Sequence, residues 1–553
     1  MIRRLLLITA ALTTLTGSYF AGARADATPY RSALSTTRFR RRHNRATADP
    51  RYLMECPSLD AYESLPYDRQ SVRETHPDHL AVLARLHGIE SPDPGACRVL
   101  ELGCASGANL IPMAWFLPGS RFLGLDLSAA QVDAGQAQIA ALQLHNIEIR
   151  QADVGTVELG DEGFDYVIAH GLYSWVPAPV RVALLGLIRR HLNPGGVAYL
   201  SFNALPGWHM RGMLREMLLF HVRALVAAPQ RLAAAREFLA FLDTGLGGLQ
   251  ALSAEYLRHE LAALRQAPDS YLYHEYLATV NEPVLFSDFV ADAQRAGLRY
   301  LCNAELHYQF PASLGETAEQ ALAVFTDPLA RQQYLDFLLN RNFHQALLVG
   351  DDNVRPGELD YERFTRLALF ADLSPPRKLE LRKTKAQLFT DSAGERHAVS
   401  HPLTRAALTR LSQVYPQALD YSVLESDAQR QVAETGDPRL AGQVEHLFGE
   451  LFQLFALGAV SASCHAGGAL PAPQMPACAT PLALAEAAAG RLVDSRHASL
   501  RLDPLSALAV QSFDGRRDDQ AITAVLRDAG ASGVRVDPVA LRRMLARRGA
   551  LRS

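Results

Sequence analysis

The chain has 553 residues, a formal net charge of −3 at pH 7 and a hydrophobic share of 48%. This length exceeds what one hydrophobic core supports and indicates about three or four domains, while the near-neutral charge excludes a chain-wide attraction for nucleic acid. The six cysteines form no C-x-x-C pair, so we expect isolated thiols and no bound metal, and no segment is apolar for long enough to predict a membrane span.

The first 51 residues form a segment of their own. Met1 to Arg4 is charged, Leu5 to Leu15 is apolar and Ala21 to Ala25 is rich in small residues, a pattern similar to a secretory signal. Two interpretations stay open: a leader peptide, or a start codon placed too far upstream, with Met54 as the true start. We expect residues 1–51 to be disordered if they are translated, and the compact chain to begin near Tyr52.

A short apolar strand, Val99 to Leu102, runs into a glycine-rich turn and then into a helix predicted over 108–117. The turn follows the pattern E-x-G-x-x-x-G, which differs from the dinucleotide fingerprint G-x-G-x-x-G. Gly103 presents bare backbone to a ligand, and Gly107 lets the helix pack closely on the strand. The turn resembles the first motif of class I S-adenosylmethionine (SAM) methyltransferases. Its candidate cofactor-binding residues are Glu101, Gly103, Cys104, Ala105, Gly107 and Asn109.

Acidic residues follow the next two predicted strands. Asp126 comes after Arg121 to Leu125, about twenty residues beyond the glycines, where a carboxylate can accept hydrogen bonds from both ribose hydroxyls. Asp153 follows Ile147 to Arg150 and is placed to accept from an adenine amino group. Taken alone, each carboxylate is better explained as a helix cap or a surface group. Their order in the chain and their positions at strand ends favour a SAM site instead. The candidate cofactor-binding residues here are Asp126, Leu127, Asp153, Val154 and, at the end of the fourth strand, His170.

Strands and helices alternate through this part of the chain. Phe164 to His170 and Val197 to Phe202 predict a fourth and a fifth strand, with helices over 128–143 and 178–192. This alternation predicts an α/β fold with a doubly wound parallel sheet, the Rossmann-like class I methyltransferase fold, whose ligands bind at the carboxyl ends of the strands. We assign residues 52–210 to this SAM-binding core.

Two aromatic segments follow the fourth and fifth strands, and we expect them to converge on the acceptor side of the sulfonium methyl group. Asn203 supplies a hydrogen-bond donor and an acceptor, while Trp208 offers a flat apolar wall or, alternatively, anchors the helix that starts there. The candidate catalytic residues are His170, Tyr173 and Asn203. The candidate substrate-binding residues are Tyr173, Trp175, Trp208 and His274.

The next segments complete this domain. Residues 211–282 predict helices rich in Ala, Leu and Arg, broken at Gly245 to Gly248, which we interpret as a helical insertion or regulatory domain. A helix over Phe286 to Ala296, a strand over Leu298 to Asn303 and another over His307 to Phe310 are predicted next. We assign residues 283–350 to the completion of the methyltransferase domain.

These stretches resemble the bacterial methyltransferases that carry a methyltransferase regulatory domain, a group that includes rickettsial protein-lysine methyltransferases acting on outer-membrane proteins. The resemblance covers nearly everything from about residue 52 to 350, and it implies SAM as methyl donor and a C-terminal winged-helix-like domain. Phe202 departs from the tyrosine expected before the asparagine. The matching segments are Thr75 to Leu80, Leu83 to Gly88, the glycine-rich turn, Asn203 to Trp208, His274 to Leu277, Phe286 to Leu301 and Tyr334 to Phe343.

The C-terminal part predicts binding or interface modules. A strand over Leu379 to Thr390 and helices over 402–414 and 444–457 suit a winged-helix-like α+β domain at 351–465, a fold that often binds DNA. Acidic and basic residues are equally numerous between 376 and 464, so the basic footprint for phosphate binding is missing and protein contact is favoured. A linker at 466–481 and a helical region at 482–553 follow.

The sequence therefore predicts a SAM-dependent methyltransferase. The favoured acceptor is a protein side-chain amine, that of lysine; a small-molecule methyltransferase and a non-catalytic SAM-fold scaffold are the alternatives. Desolvation beside aromatic rings would lower the pKa of a lysine ammonium, cation–π contact would attract it, and His170 or His274 would be the base if one is used. Because SAM is a cytosolic metabolite, we expect a cytoplasmic protein and favour the upstream-start interpretation. A homodimer is a further expectation.

Overall fold

The computed structural model describes residues 70–351, 359–467, 473, 475–529 and 537–552. The leader-like segment, the expected start of the compact chain near Tyr52 with Met54, and part of the linker predicted at 466–481 lie outside the described residues.

Seven strands form one mixed sheet in the order β3-β2-β1-β4-β5-β7-β6. They are β1 Arg98–Leu102, β2 Arg121–Asp126, β3 Ile147–Gln151, β4 Phe164–Ala169, β5 Leu192–Asn203, β6 Leu298–Asn303 and β7 Phe343–Gly350. Strands β1 to β5 pair in parallel, whereas β7 runs antiparallel to both β5 and β6. The strand order reverses between β1 and β4, the place where doubly wound sheets bind their ligands. The predicted α/β fold class is confirmed.

Both faces of the sheet are buried, because alternate residues of each strand point to opposite sides. Val99 and Tyr199 belong to the core on one face, and Leu100 and Leu200 to the core on the other. The first helices of the domain are α1 Pro77–Leu86, α2 Leu110–Phe116, α3 Ala129–Leu142 and α4 Ala178–His191. The helices predicted over 108–117, 128–143 and 178–192 are confirmed, with small differences at their ends.

A helical unit with a core of its own follows β5. It contains α5 Gly207–Val222, α6 Ala228–Leu246, α7 Leu252–Gln266, the single turn α8 Asp269–Tyr271 and a π-helix at Leu272–Leu277. Leu218, Leu239 and Leu261 are buried among these helices rather than in the sheet. The predicted break at Gly245 to Gly248 is confirmed, since α6 ends and α7 begins around it.

The chain then returns to the sheet through α9 Phe286–Arg295, β6, α10 Glu316–Leu322, α11 Pro328–Leu339 and β7. The predicted helix and the strand at Leu298 to Asn303 are confirmed. The strand predicted over His307 to Phe310 is wrong: Leu306–Gln309 is a 3-10 helix. The side chain of Asn303 accepts a hydrogen bond from Glu305 N at 2.9 Å, a turn that ends β6, and β7 takes the remaining place in the sheet.

The C-terminal part contains three small sheets and seven helices within the described residues. The strand predicted over Leu379 to Thr390 is mostly wrong, because only Gln387–Asp391 is a strand. The Gln387 side chain accepts a hydrogen bond from Glu380 N at 2.9 Å and donates one to Lys378 O at 2.8 Å. These side-chain bonds occupy backbone groups that would bond to a neighbouring strand if the predicted strand began there. The helices predicted over 402–414 and 444–457 are confirmed, and the winged-helix-like arrangement stays a prediction. The elements are β8 Ala368–Phe370, β9 Leu373–Ser374, β10 Gln387–Asp391, β11 Arg396–Val399, α12 Pro402–Val414, β12 Leu419–Asp420, α13 Tyr421–Thr435, α14 Val444–Ala456, β13 Ser461–Ser463, α15 Pro481–Ala488, β14 Arg491–Val493, β15 Ser499–Arg501, α16 Pro504–Ser512, α17 Asp519–Asp528 and α18 Pro538–Arg547.

Two further predictions concern thiols and membranes. Cys97, Cys104, Cys302, Cys464 and Cys478 are free thiols, as expected. Among the described residues, no helix has both the length and the apolar character that crossing a membrane requires.

Candidate functional site

The carboxyl ends of the five parallel strands bring the predicted site residues to one edge of the sheet. Glu101 lies on β1, Asp126 ends β2 and Asn203 ends β5. Asp153 lies two residues after β3, and His170 comes directly after β4. Parallel strands end at the same edge, so the structure places residues from five separate segments around one site.

The glycine-rich turn is held against the end of β2 by its backbone. Gly103 N and Cys104 N donate to Leu125 O at 2.8 and 3.1 Å. Gly103 and Gly107 have φ values of 76° and 73°, which favour glycine. A Cβ atom at Gly107 would also overlap Ile149 Cδ1 on β3, so a side chain at this position would clash with the sheet.

Asp126 shapes this turn and keeps acceptor capacity for a ligand. Its Oδ2 accepts from Ala105 N at 2.7 Å and its Oδ1 from Ser128 N at 2.9 Å. A carboxylate has about four acceptor positions, so about two remain for a diol. Partial burial raises the pKa of Asp126. The neighbouring Leu127 side chain is 51% exposed and offers an apolar surface beside the carboxylate.

Glu101 is a buried carboxyl group with one unused oxygen. Its Oε1 accepts from Asn109 Nδ2 at 2.9 Å, while its Oε2 has no hydrogen-bond partner among the residues that the structure describes. Burial, aided by the charge of Asp126, raises the pKa of Glu101 to about 7. A buried carboxylate needs a cationic partner, and the ammonium group of the SAM methionine moiety fits this place. The residues present therefore fit SAM.

The other predicted cofactor residues divide into two groups. The Asp153 side chain is exposed, with Oδ1 accepting from Gly155 N at 2.8 Å, and Val154 packs on the core beside it. The Cys104 thiol is buried, and a Cβ atom at Gly124 would lie 2.6 Å from its Sγ. Two donors and two acceptors of the protein occupy the hydrogen-bonding positions of the Asn109 amide. Asp153 can therefore reach a ligand, whereas the side chains of Cys104 and Asn109 act within the protein.

His170 ends a chain of hydrogen bonds that sequence reasoning missed. Gln345 Nε2 donates to Glu305 Oε2 at 2.8 Å, and Gln345 Oε1 accepts from the Tyr199 hydroxyl at 2.8 Å. The Tyr199 oxygen lies 3.0 Å from His170 Nδ1. His170 Nδ1 also lies 3.3 Å from Ser201 Oγ. Because the Gln345 amide donates to a carboxylate, the Tyr199 hydroxyl donates to Gln345 and its oxygen is left as an acceptor, so we assign the His170 proton to Nδ1. Burial lowers the pKa of His170 to about 4, so its ring is neutral at pH 7 and Nε2 is its acceptor.

Tyr173 is a core residue, which corrects the prediction that it lines the acceptor site. Its side chain has no exposed surface, and its ring packs edge-on against Phe289 at 5.2 Å. Its hydroxyl donates to Asp292 Oδ2 at 2.7 Å, on α9, and burial raises its pKa. The ring points into the core between the sheet and α9, so both predicted roles of Tyr173 lose their basis.

The predicted position of the two aromatic segments beside the sulfonium methyl group stays a prediction, but the segments contact each other through Trp175 and Trp208. Their rings meet edge-to-face with centroids 6.4 Å apart. Trp208 is only 4% exposed and lies at the start of α5, whereas Trp175 is half-buried. Trp175 therefore offers the accessible ring and Trp208 supports it. His274 is buried on the π-helix of the helical unit.

Asn203 pairs with a second amide, Asn281, that the sequence did not single out. Asn203 Nδ2 donates to Asn281 Oδ1 at 3.1 Å, and Asn203 N donates to Ser174 Oγ at 2.9 Å. Within the described ranges, the buried Nδ2 atom of Asn281 has no hydrogen-bond partner. Phe202 stacks on Phe289 at 4.2 Å, so the phenylalanine found instead of tyrosine faces the core rather than the acceptor side.

Comparison with known proteins agrees with this site. Residues 99–196 match a model described as "Methyltransferase domain", and residues 268–349 match one described as "Predicted methyltransferase regulatory domain". The uncharacterized protein RP028 of Rickettsia prowazekii (strain Madrid E) is 32% identical over 241 residues, which are 44% of this chain and 96% of that protein. The uncharacterized protein RP789 of the same organism is 29% identical over 470 residues, 83% of this chain and 84% of that protein.

A solved structure shares the fold. PKMT2 from Rickettsia typhi, in complex with AdoHcy (S-adenosylhomocysteine), has a TM-score of 0.75 and 24% identity, covering 86% of this chain and 96% of that chain. The fold, the strand-end site and the matched models together define a SAM-dependent methyltransferase of class I. The chain belongs to the group of these enzymes that carries a methyltransferase regulatory domain.

Replacing Asp126 tests the ribose contact. We expect Asp126→Ala to weaken AdoHcy binding about 100-fold or more, because hydrogen bonds to a charged acceptor contribute about 1.5–3 kcal/mol each. Titration calorimetry measures the affinity, and circular dichroism confirms that the variant is folded. Asp133→Ala, at an exposed aspartate on α3, is the matched control and should bind like the parent protein. Equal affinities of the two variants would contradict the assignment of Asp126.

The raised pKa of Glu101 predicts a pH effect on ligand binding. With a pKa of about 7, Glu101 is partly protonated at neutral pH, and a bound ammonium favours its charged form. AdoHcy affinity should therefore rise from about pH 6 to 8, and binding near pH 7 should release a proton. Calorimetry in buffers of different ionisation enthalpy measures this proton, and Glu101→Gln should abolish its release. A pH-independent affinity without proton release would show that Glu101 does not meet the ammonium.

The hydrogen-bond chain predicts the protonation state of His170. Selective 15N-histidine labelling, assigned with His170→Gln, should show a neutral ring carrying its proton on Nδ1 from pH 8 down to about pH 5. Tyr199→Phe combined with Ser201→Ala removes both partners of Nδ1 and should allow the other tautomer to form. A His170 ring that titrates with the ordinary histidine pKa would refute this assignment.

Proposed function

We propose that the methyl acceptor is the side-chain amine of a lysine in a protein substrate. The observation that carries this proposal is the grouping of the Asn203–Asn281 amides with the Trp175–Trp208 rings at the ends of β4 and β5. Ser174 joins the two pairs, because its Oγ accepts from Asn203 N and it precedes Trp175 in the chain. Aromatic rings and uncharged amide groups together suit a lysine side chain, which arrives as an ammonium cation and must lose a proton before it can accept a methyl group.

The two kinds of side chain act on different forms of the amine. The Trp175 ring attracts the ammonium through cation–π contact, and Trp208 already lies 5.7 Å from the Arg211 guanidinium in such a contact. Desolvation beside these rings lowers the pKa of the lysine and favours the neutral form. The Asn203 amide oxygen is suited to accept an amine N–H and so direct the nitrogen lone pair.

His170 is an acceptor rather than a base in this proposal. A ring whose pKa is about 4 does not keep a proton taken from lysine at neutral pH, so the proton passes to water as the amine loses its hydration. The neutral Nε2 atom instead accepts a hydrogen bond and helps to orient the amine. SAM supplies an electrophilic methyl group when bound, and the protein contributes position and exclusion of water.

The similarity to PKMT2 from Rickettsia typhi and the resemblance of the motifs to rickettsial protein-lysine methyltransferases support lysine as the acceptor. The C-terminal part, with its balanced charges, supports a protein rather than a nucleic acid as partner. Cytoplasmic location and a homodimer stay predictions. Exposed Phe220 and Phe241 on the helical unit support the homodimer, since exposed aromatic side chains are enriched at interfaces.

Labelling with a lysine-blocked control tests the acceptor. The protein is incubated with methyl-labelled SAM and a bacterial lysate, and the products are separated by size. A second portion of the lysate is first treated with an acetylating reagent that blocks protein amines. We expect label in the protein fraction of the untreated lysate and its loss after acetylation, because acetylated lysine has no nucleophilic lone pair.

Matched variants make the result specific. Asp133→Ala should label as the parent protein does, and Asp126→Ala should not. Label found only among small molecules would favour a small-molecule methyltransferase. Label that persists on acetylated protein would assign the methyl group to a nucleophile other than lysine, and both results would overturn the proposal.

A further inference from the structure

A loop of the C-terminal part reaches the cofactor-binding turn. The loop joins β14 to β15, and at its end the His497 ring places Nε2 at 2.8 Å from Asn109 Oδ1. The two residues are 388 positions apart in the sequence. His497 is only 2% exposed, so this contact is shielded from water.

The hydrogen bonds around Asn109 fix its orientation and that of its partners. Asn109 Nδ2 donates to Glu101 Oε1 and to Thr75 Oγ1, both at 2.9 Å. Its Oδ1 therefore faces the other way and accepts from Val72 N at 2.9 Å and from His497 Nε2. His497 must carry its proton on Nε2, and burial keeps the ring neutral by lowering its pKa. The four bonds leave the Asn109 amide one orientation.

The loop that presents His497 is itself firmly held. Asp494 has no exposed surface, and its Oδ1 accepts from Arg496 N and Ala498 N at 3.0 and 2.9 Å. Its Oδ2 accepts from the Tyr415 hydroxyl at 2.9 Å and from Arg548 Nη1 at 2.8 Å. A loop tied to two other segments, through Tyr415 and Arg548, holds His497 at a fixed position.

We propose that His497 is a positioning residue for the cofactor: through Asn109 it orients the Glu101 carboxylate toward the amino-acid end of SAM. The proposal rests on the assignment of Glu101 to the cofactor ammonium. It makes the C-terminal part a contributor to the methyl-donor site, in addition to any contact with a substrate. The chemistry recognised is an ammonium group, so the effect should be confined to ligands that carry one.

Two ligands separate positioning from general stability. AdoHcy contains the amino-acid end, whereas 5′-methylthioadenosine has the same nucleoside without it. We expect His497→Ala to weaken AdoHcy binding about tenfold, as for one lost hydrogen bond in a buried set, and to leave methylthioadenosine binding unchanged. His497→Gln, which retains a donor, should restore much of the AdoHcy affinity. Leu500→Ala, in the same hairpin but half-buried, is the matched structural control.

The outcomes that would overturn the inference are distinct. Equal weakening of both ligands by His497→Ala would give His497 a structural role only. Unchanged AdoHcy affinity in His497→Ala, with affinity lost in Glu101→Gln, would remove His497 from the site and leave the assignment of Glu101 intact. Unchanged affinity in both variants would mean that Glu101 does not bind the ammonium, and the proposed lysine acceptor would still be testable by labelling.

Discussion

The hydrogen bonds between the glycine-rich turn and the end of β2 fix the conformation of the turn, and the rest of the site depends on that conformation. Leu125 O accepts from two consecutive amides of the turn, and Asp126 accepts from a third, that of Ala105. Ala105 has a φ of 47°, a conformation that costs a non-glycine residue about 1 kcal/mol or more. The hydrogen bond to Asp126 offsets this cost. Asp126, which we predict to contact the ribose, thus also shapes the turn.

Two buried acids at the same edge of the sheet would favour a ligand that carries a positive group. Glu101 and Asp126 both have raised pKa values, and burial is the largest cause for each. A free protein that holds poorly solvated carboxylates gains when a positive group arrives, because the charge pair replaces lost hydration. A neutral nucleoside provides no such gain at Glu101. If both assignments hold, the site distinguishes ligands by charge at Glu101 and by hydroxyl groups at Asp126.

The sequence predicted those parts of the fold and of the site in which the local backbone geometry determines which residue is present. The glycines and Asp126 stand at strand ends, where backbone conformation and position restrict the residue, and the two tryptophans lie a few residues beyond β4 and β5. Prediction from the sequence failed where the position of a side chain or strand depends on a partner far away in the chain. Tyr173 was predicted to line the acceptor site, but its hydroxyl donates to Asp292, which lies 119 residues later in the chain. The Tyr199–Gln345 bond spans 146 residues, and β7 enters between β5 and β6 from far along the chain, so no local pattern marks either feature.

The start of α1 explains how a distant part of the chain can affect the methyl-donor site. Arg73 donates to Ser461 Oγ at 2.9 Å, and Asp78 Oδ1 accepts from Cys464 N at 2.8 Å. Both contacts join the C-terminal part to the short segment that also bonds Asn109. Such bonds are directional and fully formed only at one relative placement, unlike apolar contacts, which tolerate sliding. Any event that shifts the C-terminal part must therefore break or bend bonds next to Glu101. Under the role proposed for Glu101, a shift of the C-terminal part would therefore change the affinity of the protein for its cofactor.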